Sequence, residues 1–181
     1  VITQCDNHPP RRARVEALGV RLVLDSQSDE FINMQLHPRD TGGSFFEIDQ
    51  QLGPNALEPD GPWHPAGPDW QRAKHVERVS GIVAAEIQCE IPANVATRWG
   101  EIAEIDVDHT DGIHSLTIDN AVIRFVACKD GRPEGLGGID LLTSDADSVL
   151  AAAESRGLKT GDAQVYLCGM RMNLVAAEQK L

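Results

Sequence analysis

The stretch Leu36–Asp49, LHPRDTGGSFFEID, decides how the rest of the chain is read. It reads as the end of a strand, a tight polar turn over Pro38–Gly43, and a second strand, Ser44–Asp49, with Glu47 between Phe46 and Ile48. Successive side chains of a strand point to opposite faces, so Glu47 faces away from its two apolar neighbours. A carboxylate placed in this way can line the concave side of a sheet, or simply stand in solvent.

Working outward, Val1–Asp6 reads as a short strand. Arg11–Leu18 reads as a helix that follows Pro9-Pro10 and ends at Gly19. Val20–Leu24 and Phe31–His37 are strands around a polar turn at Ser26–Glu30, and the second puts Phe31, Asn33 and Gln35 on one face. The order is strand, helix, strand, strand, strand. One helix would then cover a small sheet whose other face is free to enclose a ligand.

The same order recurs. Gly81–Cys89, a helix over Pro92–Ile102 with Val95, Trp99 and Ile102 on one face, and strands at Ala103–Val107, Ser115–Ile118 and Ala121–Cys128 make a second unit. Asp119-Asn120 is its two-residue hairpin turn. A third unit runs through Ile139–Thr143, a helix Ala146–Arg156 capped by Asp145, and strands Gln164–Cys168 and Met170–Val175. Residues after Ala176 read as a frayed tail. Between the first and second units, residues 50–74 hold five prolines with Trp63 and Trp70, the composition of a linker. Two tryptophans carry too much apolar area to stay solvated, so this linker is expected to lie as a strap on the surface.

Composition narrows the function. The 181 residues are 41% hydrophobic and 24% charged, enough to bury a core. The net charge of −12, with no basic cluster, disfavours nucleic acid and anionic lipid. No apolar run is long enough for a membrane helix. Cys5, Cys89, Cys128 and Cys168 lie far apart with no CxxC pair and read as small buried hydrophobes in a reduced, cytoplasmic protein. Asp106, Asp108 and Asp111 lack the spacing of a calcium loop. His64, His75, His109 and His114 show no ligand spacing, the last two flanking Asp111-Gly112 in a loop.

The repeated unit, with His37-Pro38-Arg39-Asp40-Thr41-Gly42-Gly43 before a strand bearing Glu47, resembles the vicinal oxygen chelate superfamily. That group includes glyoxalase I, methylmalonyl-CoA epimerase, bleomycin resistance proteins and ring-cleaving dioxygenases. The turn is most similar to epimerase-type and glyoxalase-like members. The resemblance implies an α+β, glyoxalase-like fold of repeated βαβββ units forming cupped mixed sheets.

Residues 1–49 would then be half of a first domain, residues 50–78 a linker, and residues 79–181 a second domain of two units, 79–128 and 136–175. The partner of the first unit is expected upstream of Val1 or from another chain, as in a homodimer.

The resemblance further implies a metal-dependent lyase, isomerase or epimerase acting on a small molecule with adjacent oxygens. Glu47 would be a ligand for Zn, Ni, Co, Mn or Fe in the first domain. His37 would be part of the turn scaffold. Gln4 could orient a substrate oxygen, and Arg124 could meet an anionic substrate or pair with Glu86 or Glu101. No catalytic residue is assigned. In the second domain, Ala84, Arg124, Gly137-Gly138 and Asn173 stand where ligands are often found, so no metal is expected there. The alternative is a metal-free small-molecule binding protein or a structural relative.

Overall fold

The computed structural model describes residues 1–177, so most of the expected frayed tail lies outside the described residues. The described residues form two compact units, one of residues 1–74 with 97–105, the other of residues 75–96 with the chain from 106 onward.

In the first unit, β1 (Ile2–Gln4), α1 (His8–Ala17), β2 (Leu22–Gln27), β3 (Phe31–Leu36) and β4 (Phe46–Gln51) follow one another. The sheet order is β1-β4-β3-β2, with β1 parallel to β4 and the other pairs antiparallel. Helix α1 starts at His8, three residues earlier than expected, because Pro9 and Pro10 fit its first turn, where a missing N–H loses no helical bond. It ends where Gly19 takes φ +64°, a left-handed cap that a side chain would strain.

One face of this sheet is the core. Val15, Met34, Leu36, Phe46 and Ile48 are buried, and so are Trp99 and Ile102. The Phe46 and Trp99 rings stack at 4.2 Å and 1°. The signature turn is built to hold Trp99. The indole N–H donates to the Thr41 carbonyl at 2.9 Å, while the Thr41 hydroxyl donates back into the turn, to the Ser44 and His37 carbonyls. Asp40 accepts two bonds from the Arg21 guanidinium and one from its backbone N–H, and this pairing holds its carboxyl well below the usual carboxylate range. His37 Nδ1 accepts the Arg39 N–H at 3.1 Å, a capping role.

In the second unit, β5 (Val79–Cys89), β6 (Asp108–Thr110), β7 (Ile113–Ile118), β8 (Ala121–Ala127), β9 (Gly135–Thr143), β10 (Thr160–Gly161), β11 (Gln164–Leu167) and β12 (Met170–Ala176) make one sheet, ordered β10-β11-β12-β9-β5-β8-β7-β6. The pattern of the first sheet appears here twice. β5 is parallel to β8 as β9 is to β12, and the two copies join through the antiparallel pair β5–β9. Helix α3 (Ala146–Glu154) begins at Asp145, whose carboxylate accepts the Ser148 N–H, and it packs through Ala153 on Val165 and Leu174.

Helix α2 (Pro92–Ala103) continues through Ala103, and Glu104 leaves it with φ +58°. The strand expected over Ala103–Val107 is therefore absent: its alternating apolar pattern belongs to a helix end, and β6 starts only at Asp108. A second correction concerns the cysteines. Cys89 is buried and its thiol is pushed up to about 12 by burial, but Cys128 and Cys168 are exposed; all four are free thiols. Among the described residues no helix is long and apolar enough to cross a membrane.

Candidate functional site

Strand register assembles the open face of the first sheet. β1 sets Ile2 beside Glu47 and Gln4 beside Asp49, while β3 sets Gln35 opposite Glu47 and Asn33 opposite Asp49. Directly paired residues share a face. The core residues Phe46 and Ile48 occupy the other face, so period-two alternation places two carboxylates and two amides together.

Amide hydrogens hold the carboxylates. The Asn33 amide donates to Glu47 Oε1 and to Asp49 Oδ1, both at 2.7 Å, and the Gln35 amide donates to Glu47 Oε2 at 2.7 Å. Asp49 is 0% exposed and Asn33 5%. Burial first, and the charge of Glu47 second, push the Asp49 carboxyl up to about 7. Asp49 Oδ2 and Asn33 Oδ1 are buried and have no hydrogen-bond partner among the described residues. Two acceptor oxygens beside two carboxylates form a site that asks for a donor or a cation.

Gln4 meets this face, but its amide donates to the Ala56 carbonyl of the strap at 2.7 Å. The strap is fixed again at its middle, where the His64 N–H donates to Gln51 Oε1 at 2.7 Å and Trp63 and His64 pack on Phe31. A cleft of about 220 Å³ runs between Gln4, Ala56, Trp63 and Trp70.

The corresponding face of the second sheet is filled with its own charges. Arg124 donates to both oxygens of Asp140 at 2.6 Å and to Glu86 at 3.2 Å. Arg171 donates to Glu86 at 3.1 Å, to Gln88 at 3.2 Å and to Asp130. Asn173 donates to Asp140 at 2.7 Å. Burial alone would raise the Asp140 carboxyl, but its bonds from Arg124 and Asn173 hold it below the ordinary value. Arg124, for which the sequence left open an anionic substrate or an ion pair, is ion-paired here to Asp140 and Glu86. The glycines where the resemblance led us to look for a ligand make room for this network. A Cβ on Gly137 would run into the Arg171 guanidinium, and one on Gly138 would lie 2.8 Å from the Arg171 carbonyl and 2.9 Å from Glu86 Oε2.

No family model and no curated protein matches the sequence. Solved structures do match. A Mn(II)-bound glyoxalase from Novosphingobium aromaticivorans aligns over 96% of this chain and 61% of its own, at 11% identity and a TM-score of 0.63. The 2,2',3-trihydroxybiphenyl 1,2-dioxygenase of Sphingomonas wittichii RW1 aligns over 96% and 68%, at 13% identity and a TM-score of 0.59. The chain has the vicinal oxygen chelate fold. A hypothetical protein from Staphylococcus aureus shares it, over 96% of this chain and 63% of its own, at 8% identity and a TM-score of 0.59. The chain thus spans about three-fifths of the length of the glyoxalase and of the staphylococcal protein.

The Novosphingobium glyoxalase holds Mn(II). Among the described residues no group of three or more His, Cys, Asp and Glu side chains stands ready to hold one. The Glu47 and Asp49 carboxylates and the unpartnered Asn33 Oδ1 nevertheless make an oxygen donor set. Its chemistry fits part of the shell of a hard cation of the Mg²⁺ or Mn²⁺ kind. The second sheet does not fit a cation, since each of its buried carboxylates is already neutralised by an arginine.

Sequence reasoning singled out Glu47 and put Asn33 and Gln35 on one face but passed over Asp49, which the same alternation from Glu47 places on Glu47's face. It also passed over Arg171. The signal available there was Arg171 two positions before Asn173 on one strand, opposite a glycine pair.

Proposed function

We propose that this is a glyoxalase-like, metal-dependent protein whose working face is the first sheet and whose second sheet is structural. Glu47 is the metal ligand contributed by this face, with Asp49 and Asn33 as neighbouring oxygen donors. One observation supports the reading above others: both sheets carry carboxylates on the corresponding face, and among the described residues only the first leaves buried side-chain oxygens without partners. A bound divalent ion supplies Lewis acidity, holding adjacent substrate oxygens and stabilising the negative charge that develops on them. The chain's own residues set the stage for this. Asn33 and Gln35 fix the orientation of Glu47 through their amide hydrogens, and Gln4 ties the strap beside the site. The reaction class is that of a lyase, isomerase or epimerase on a small molecule with neighbouring oxygens, in a reduced, cytoplasmic setting.

β1 has a neighbour on one side only, whereas its counterparts β5 and β9 pair with each other. A second βαβββ unit across β1, from upstream sequence or from another copy in a homodimer, completes the ligand shell in this proposal. A metal-free binding role is the second reading for the first sheet. For the second sheet it is disfavoured, because arginine and carboxylate side chains take up the space.

Equilibrium dialysis against Mn²⁺ of the metal-stripped protein, with the second βαβββ unit that flanks β1 present, tests the proposal. Stoichiometric retention by the wild type is expected, with at least about a tenfold loss of affinity in Glu47→Gln, equivalent to about 1.4 kcal/mol. Equal Mn²⁺ binding by the wild type and Glu47→Gln, or none by the wild type, overturns it.

A further inference from the structure

His109 and His114 lie in the second unit. They sit on β6 and β7, joined by Asp111 and Gly112 with φ +52° and +78°. Positive φ at both central residues is the two-residue hairpin loop that Asp-Gly favours, because its twist matches that of the strands. The loop fixes the register. Thr110 and Ile113 close it as a hydrogen-bonded pair, so the next pair, His109 opposite His114, is non-hydrogen-bonded. Side chains approach most closely at such a pair, and the two rings stack with centroids 4.3 Å apart and planes 13° from parallel. The sequence expectation of two solvated loop residues is thereby corrected: the five-residue spacing across Asp-Gly brings the imidazoles into contact.

Three further features bear on what this pair can do. β6 is the outer strand of its sheet, so solvent reaches the hairpin from the side. His109 is exposed and His114 half-buried. Neither ring makes a hydrogen bond or an ion pair with another side chain among the described residues, so its nitrogens are available. Neutral imidazole is a good ligand for copper, nickel and zinc.

We propose that His109 and His114 form a two-imidazole chelate for a borderline divalent transition metal, Cu²⁺, Ni²⁺ or Zn²⁺. Metal–nitrogen bonds of about 2.0–2.1 Å bring the two nitrogens to roughly 3 Å apart. From rings stacked 13° from parallel, this takes rotation of the imidazoles about their Cβ–Cγ bonds until one nitrogen of each ring points at the ion. Only two ligands come from the protein, so water fills the remaining positions and the ion exchanges readily. The site is chemically distinct from that at Glu47, where the donors are oxygens and the matching cation is hard.

The test uses the intact chain, stripped of metal, as wild type and as His109→Gln, His114→Gln and Glu47→Gln. Ni²⁺ titration by calorimetry is expected to show one equivalent in the wild type and in Glu47→Gln, with each histidine variant weakened at least about tenfold by the loss of two-point binding. The Cu²⁺ complex is expected to show electron paramagnetic hyperfine splitting from two imidazole nitrogens. Far-UV circular dichroism of the variants confirms that the sheet is retained. Ni²⁺ binding that survives both histidine substitutions, binding that disappears in Glu47→Gln, or a Cu²⁺ spectrum with no imidazole nitrogen overturns the proposal. Failure of Mn²⁺ binding at Glu47 leaves this result untouched.

Discussion

Arg124→Leu breaks the charge network of the second sheet at its centre. The substitution removes two 2.6 Å bonds to Asp140 and one of 3.2 Å to Glu86. Glu86 keeps Arg171, but Asp140, 7% exposed, is left with the Asn173 amide alone. Removing one member of a buried ion pair costs roughly 3–5 kcal/mol, most of it the penalty of the stranded charge. The Arg124 and Asp140 side chains retain 24% and 10% exposure, so solvent screens part of the interaction. The loss should fall at the lower end, about 3 kcal/mol. With a urea dependence of about 2 kcal/mol/M, the unfolding midpoint drops by about 1.5 M. Far-UV circular dichroism is the right probe, since all three tryptophans belong to the first unit. The double variant Arg124→Leu/Asp140→Leu removes the stranded charge as well and should recover more than half of the loss. A single-variant shift below about 0.5 M, or a double variant as unstable as the single, would refute the assignment of Arg124 to a structural ion pair.

The same pair sets a pH dependence. Asp140 titrates below its ordinary value of 3.8 in the folded state, so its contribution is present above that value and is lost as pH falls through the folded one. The gap between wild type and Arg124→Leu should therefore close as urea titrations move from pH 7 to below pH 3.8. Gly138→Ala should cost about 1–3 kcal/mol by overpacking, because its new methyl lies 2.8 Å from a backbone oxygen. Gly81→Ala, with nothing within 4 Å, should leave the midpoint within measurement error.

The repeat was legible because each unit is local. A strand, a helix and three strands follow within about fifty residues, and the turn residues between them carry their own conformational signals. Asp119-Asn120 joins β7 to β8 as its composition suggests, and Asp145 caps α3. What was not legible depends on register between distant strands. Asp49 is unremarkable until β3 sets Asn33 opposite it, where it shares the Asn33 amide with Glu47. Arg171 and Glu86 are 85 residues apart and meet only because β9, which carries the glycine gap, lies between their strands. The boundary of α2 misled for another reason. Ala103, Ile105 and Val107 alternate like a strand, but the positive φ at Glu104 that ends the helix has no glycine to announce it.

The strap shows how little attachment a chain segment needs when its own composition has already restricted it. Residues 52–74 contain no strand and only short 3₁₀ turns, and their side chains are largely outside the core. Five prolines between Pro54 and Pro68 fix backbone angles in the unfolded chain as much as in the folded one. The entropy left to be lost on ordering is correspondingly small. Two glutamine amides, at Ala56 and His64, and an aromatic contact with Phe31 then hold the first half of the strap against the sheet. Such a cover is stiff by composition and only lightly fastened. Its order therefore owes more to its own composition than to the contacts that hold it.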